Sequence, residues 1–136
     1  MAPIILPDPM TRHVYKGNRP NLREGRCIVT VDDQSLHEKL GWENTPNVDF
    51  EWGYIGRGPT TLANAILTNE FDQDTANEYQ NKFSLDVISA LPREKGGIEW
   101  VLTNDQIGIW LTMWKIAKRE LERTTSARNE AGWKSW

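Results

Sequence analysis

Phe50-Glu51-Trp52-Gly53-Tyr54-Ile55-Gly56-Arg57-Gly58-Pro59-Thr60-Thr61-Leu62-Ala63 is the stretch on which the fold of this chain turns. Phe50, Trp52 and Tyr54 alternate with Glu51 and Gly53, the period of two expected of a half-buried strand. Pro59 suits the first turn of a helix. Leu62, Ala63, Ile66 and Leu67 then recur on one side of that helix. The stretch therefore reads as strand, glycine-rich loop and helix in immediate succession.

Upstream, Cys27-Ile28-Val29-Thr30-Val31 is β-branched and apolar, the clearest strand signal in the chain. Residues 12–16 read as a shorter strand ended by Gly17-Asn18-Arg19-Pro20, which is turn chemistry. Asp32-Asp33-Gln34-Ser35 leads into a short helix through Leu36 and Leu40. Downstream, Asp72 or Asp74 starts a helix in which Ala76, Tyr79, Phe83, Val87 and Leu91 recur at three- and four-residue steps until Pro92. Ile98 to Leu102 reads as the last strand. Thr103 and Gln106 then form a capping box for a final helix with a core stripe of Ile107, Trp110, Leu111, Trp114, Ala117 and Leu121. Strands and helices in this irregular order imply an α+β fold: a small, mostly antiparallel sheet with three to four helices on one face. The expected organisation is an extended arm over residues 1–11, a single domain over 12–124 and a tail over 125–136. Packing of Trp110 as core predicts a loss of about 3–5 kcal/mol on its replacement by Ala.

The chain has 136 residues and a net charge of −3, enough for one domain with its own core. That charge argues against a general nucleic-acid binder. It is unevenly spread: residues 41–114 carry four bases and eleven acids, and residues 115–136 six bases and three acids. One cysteine, Cys27, excludes a disulfide framework and fits a reducing cytoplasm. Placed within an apolar strand, it reads as packing rather than as a nucleophile. The run from Gln106 to Trp114 is too short to span a membrane, and the first nine residues do not read as a signal peptide. His13 and His37 have no Cys or His at ligand spacing, so neither a metal nor another cofactor is expected.

The loop from Gly53 to Pro59 is the candidate binding element. Glycines allow positive φ and close approach of a ligand, a helix start favours an anion, and Arg57 offers a bidentate phosphate contact. Its spacing is neither the P-loop nor the dinucleotide fingerprint. A sharp strand-to-helix turn with no ligand is the alternative reading. Glu51, Trp52, Tyr54, Gly56, Arg57 and Gly58 form the candidate ligand-binding set, with the aromatics able to stack a base and Glu51 to accept from its amino edge or from ribose. As a strand, Asp49 and Glu51 would share one face. Trp133 and Trp136 flank Lys134 outside any core periodicity and form a candidate partner-binding pair, in cis, across a subunit interface or on another molecule.

Phe50 to Pro59, followed by Leu62-Ala63-Asn64-Ala65-Ile66-Leu67, resembles the hallmark F-E-W-G-Y-x-G-x-G-P of a family of small uncharacterised domains from bacteria, archaea and tailed phages. Tyr15-Lys16-Gly17, Tyr79 to Phe83, Pro92 and Trp100-Val101-Leu102-Thr103 resemble its flanking features, so the likeness covers roughly residues 12–112. The resemblance implies a phage or mobile-element setting and no reaction. Two functions are expected to compete. One is a non-enzymatic protein that captures a phosphate-bearing small molecule, such as a nucleotide signal of host defence. The other is a protein–protein inhibitor or adaptor, meeting a host protein through the acidic middle or the Trp-rich tail. The seven tryptophans and the long last helix also predict a homo-oligomer, a two-fold dimer by base rate, weakened by truncation after Thr124.

Overall fold

The computed structural model describes residues 12–18, 27–42, 49–92 and 99–130, the last five as backbone. The arm over residues 1–11, and Trp133 and Trp136 of the tail, lie outside the described residues.

Strand β1, Val14–Asn18, occupies the middle of a four-stranded antiparallel sheet of order β3-β2-β1-β4. It pairs with β2, Ile28–Val31, and with β4, Trp100–Thr103. The two-residue β3, Gln34–Ser35, folds back on β2 through Asp32 and Asp33, both at positive φ (51° and 67°). Two successive positive φ angles are what a tight hairpin needs to match strand twist, and Asp tolerates them better than most residues. The Asp32 carboxylate also accepts the Val14 N–H at 2.9 Å, tying the turn to β1. Gly17 and Asn18, expected in a turn, are the last residues of β1.

Register decides which face is buried. Tyr15 opposes Val31 and Leu102, and Gly17 opposes Val29 and Trp100. Paired residues share a face, and these six are all buried. The side chains among them belong to one core cluster with Leu62, Ile66, Phe83 and Ile107 from the helices. On the opposite face Ile28 and Val101 stay half exposed. The Trp100 indole lies over Gly17 so closely that a Cβ on Gly17 would overlap the ring. Its Nε1 is buried with no hydrogen-bond partner among the described residues. Trp100 also meets Trp52 edge to face at 5.5 Å.

Among the described residues four α-helices accompany the sheet: α1, Leu36–Leu40; α2, Arg57–Glu70; α3, Gln73–Asp86; and α4, Asn104–Glu130. Asp72 caps α3 by accepting the Thr75 N–H at 2.7 Å, and that bond holds its carboxyl below the usual range. Thr103 and Gln106 make the capping box of α4 in both directions, at 2.9 and 3.3 Å. The fold is α+β, as the element order implies.

Further sequence expectations need correction. Residues 50–54 are not a strand, although Phe50 and Trp52 are buried as the alternation suggests. Gly53 takes φ 83°, and its N–H bonds the Ile88 carbonyl at 3.0 Å, so the segment finds its partner in the turn after α3 and not in a sheet ladder. Asp49 and Glu51 consequently share no strand face. α3 stops at Asp86, and a short 3₁₀ turn over Ile88–Ala90 buries Ile88 in place of further helix. α4 continues past Thr124 to Glu130, and its core stripe ends early. Ile107 and Leu111 are buried and Trp110 and Trp114 half-buried, but Ala117 and Leu121 are exposed.

Candidate functional site

A cavity of about 490 Å³ opens beside the first turns of α2, lined by Trp42, Gly56, Arg57, Thr60, Thr61, Asn64 and Gln80. Three elements build it. Trp42 follows α1 and tilts against Phe50, with ring centres 6.5 Å apart. The first half of α2 supplies the floor, and Gln80 reaches in from α3.

α2 and α3 run antiparallel along a polar edge of their seam. Asn64 makes four bonds there: its Nδ2 donates to Gln80 Oε1 at 2.8 Å and to Asn77 Oδ1 at 3.2 Å. Its Oδ1 accepts from Thr68 Oγ1 and Gln73 Nε2, both at 3.2 Å. Asn64 is thereby saturated. The Gln80 oxygen is held by Asn64, and its amide nitrogen has no hydrogen-bond partner among the described residues. The Thr60 and Thr61 hydroxyls donate to the Gly56 and Arg57 carbonyls at 2.8 and 2.9 Å, leaving oxygen lone pairs. Arg57 is exposed and has no ion-pair partner among the described residues. The described lining residues include no carboxylate, although acids outnumber bases eleven to four between residues 41 and 114.

Of the six residues expected to hold a ligand, the cavity wall includes Gly56 and Arg57. The others support them. Trp52 is buried and donates from Nε1 to the Pro92 carbonyl at 2.8 Å, so it is not available to stack a base. The Glu51 stem lies against Gly58, where an added Cβ would come within 2.7 Å of the Glu51 Cβ. The Tyr54 ring lies against Gly56, where a Cβ would come within 2.8 Å of it. Gly56 has extended backbone, φ 172°. Within the loop, positive φ belongs to Gly53. Gly56 and Gly58 are required for close packing instead. Sequence reasoning missed Trp42, Thr60, Thr61, Asn64 and Gln80. Thr60, Thr61 and Asn64 had one signal, the polar face of α2, and no spacing rule joins them to Trp42 and Gln80 from other elements.

A second polar cluster lies under the sheet. Glu70, the last residue of α2, accepts from the Tyr15 hydroxyl at 2.6 Å and sits 2.9 Å from His13 Nδ1 on the same oxygen. Asn69 Nδ2 donates to the Tyr15 oxygen at 2.6 Å. Burial, reinforced by the Glu70 carboxylate, pushes the Tyr15 phenol far above its ordinary range. Tyr15 is fully buried, so the group acts as a tie between β1 and α2. Among the described residues no three His, Cys, Asp or Glu side chains gather as a metal site. No described helix is long and apolar enough to cross a membrane.

Compared with known proteins, residues 15–113 match the model of a family of unknown function (DUF6166). No curated protein and no solved structure matches the chain.

Proposed function

The chain belongs to that family of unknown function, and we propose from its own cavity that it is a non-enzymatic binding protein for a phosphate-bearing small molecule of nucleotide type. The observation that carries this reading is the wall itself. In the most acidic part of the chain it gathers one guanidinium, one amide donor unpaired among the described residues and one indole, with no described carboxylate. Such a wall favours an anionic ligand rich in acceptors. In this reading Arg57 takes a phosphate, Gln80 donates to a base or sugar, and Trp42 stacks a base. Capture of a nucleotide signal of host defence by a phage protein is the form of this activity that the resemblance to phage domains favours.

Calorimetric titration against mono-, di- and cyclic nucleotides tests the reading. One class should bind, and Arg57→Ala should weaken it by roughly 1.5–3 kcal/mol, the worth of a charge-assisted hydrogen bond. Melting temperature should barely change, because Arg57 is exposed. No heat with any nucleotide on a folded sample would discard the reading in favour of a protein partner.

A further inference from the structure

The outer face of α4 has a pattern that no other described element covers. Ile107 and Leu111 turn inward and are buried. Asp105, Ile109, Thr112, Ile116, Arg119 and Arg123 recur at alternating steps of four and three along another side. That is the seam spacing of a coiled coil. Ile109 is 64% exposed, Ile116 52%, and the flanking Met113 62%. Gly108 lies beside this seam inside the helix, and an added Cβ there would meet nothing within 4 Å among the described residues. Glycine weakens a helix interior, and no contact among the described residues calls for it here. What it permits is the close approach of another backbone.

We propose that this seam pairs with the same seam of a second copy of the chain, antiparallel, about a two-fold axis near Met113. The charges select both partner and direction. The acidic end of the seam is Asp105, and the basic end is Arg119 and Arg123. Antiparallel pairing sets each Asp105 toward the partner's basic end. Parallel pairing would set like charges side by side, which costs stability. The seam is therefore complementary to itself. Helix dipoles also oppose favourably in this arrangement. Within the chain Asp105 meets Arg12 at 3.2 Å and Arg123 meets Glu120 at 3.3 Å; both are largely exposed pairs of little worth, which antiparallel docking exchanges for pairs across the seam. Three apolar side chains fall short of the roughly 800 Å² per partner of a standard interface, so the dimer dissociates in the micromolar range. This interface does not depend on what the cavity binds.

Sedimentation equilibrium should show a mass rising from 15.7 kDa toward twice that value over tens to hundreds of micromolar. Ile109→Glu and Ile116→Glu should each raise the dissociation constant at least tenfold while leaving the circular dichroism spectrum unchanged. Direction is read separately by a short bismaleimide linker. Thr112→Cys, near the axis, should link to itself. Arg123→Cys should not, and the parent, which has Cys27 alone, serves as control. A parent that stays monomeric at hundreds of micromolar overturns the proposal. So does a dimer indifferent to both glutamates, or self-linking of Arg123→Cys.

Discussion

Against α2, helix α3 packs backbone close to backbone; against α4, the same helix is met chiefly through long side chains. The first seam is built from buried residues such as Ala63, Ile66, Ala76 and Phe83, with the Asn64 amide network along its edge. The second is built from indoles. Trp110 meets Phe83 at 4.9 Å and Tyr79 at 6.3 Å, both edge to face. Trp110 and Trp114 both donate from Nε1 to Asp86, at 3.0 and 2.6 Å. Lys82 lies 4.9 Å from the Trp114 ring, and Lys118 bonds Glu78 at 2.7 Å. Small residues let helices touch, and area buried away from water then supplies the stability. Tryptophan spans a wider gap and needs a polar partner for its N–H. The α2–α3 seam should therefore behave as core, and the α3–α4 seam as a strap with lower local stability.

The largest effect should come from Phe83, fully buried and in contact with the second seam as well. Phe83→Ala should cost about 3–5 kcal/mol in urea unfolding, with hydrogen exchange accelerated in α2, α3 and α4 together. Trp110→Ala should cost less, about 2 kcal/mol, because the ring is only half-buried and part of its area is already wet. The sequence alone suggested the full cost of a core tryptophan. Exchange should quicken in α4 and leave α2 protected. Equal acceleration in both would mean that the seams form one cooperative unit and that the distinction is wrong. Asp86→Ala should have the smallest effect, about 0.5–1 kcal/mol, since both indole N–H groups can turn to water. Asp86→Asn keeps an acceptor and should recover part of the loss. An Ala variant indistinguishable from the parent in α4 exchange would show that the rings hold by area alone.

The first seam was largely legible in sequence, and the second only in part. The three- and four-residue steps of Ala76, Tyr79 and Phe83 mark a buried face, and Asp72 and the pair Thr103 and Gln106 mark helix starts that the structure reproduces bond by bond. Periodicity names a face but cannot supply a neighbour, and Ala117 and Leu121 continue the stripe into solvent. Alternation misled at Phe50, Trp52 and Tyr54 for a related reason. An irregular segment can bury every second residue too, once Gly53 turns its backbone toward Ile88. The cavity was legible only at Gly56 and Arg57, because Trp42 and Gln80 arrive from elements distant in the chain.

Gly17 and Trp100 stand 83 positions apart in the sequence and directly opposite each other across β1 and β4. The indole occupies the space that any side chain at 17 would need. Neither residue can change freely while the other stays. Among related chains the two positions should therefore vary as one character: glycine with tryptophan, or a larger residue at 17 with a smaller one at 100. Two short stretches that look unrelated along the sequence would then be inherited as a single unit.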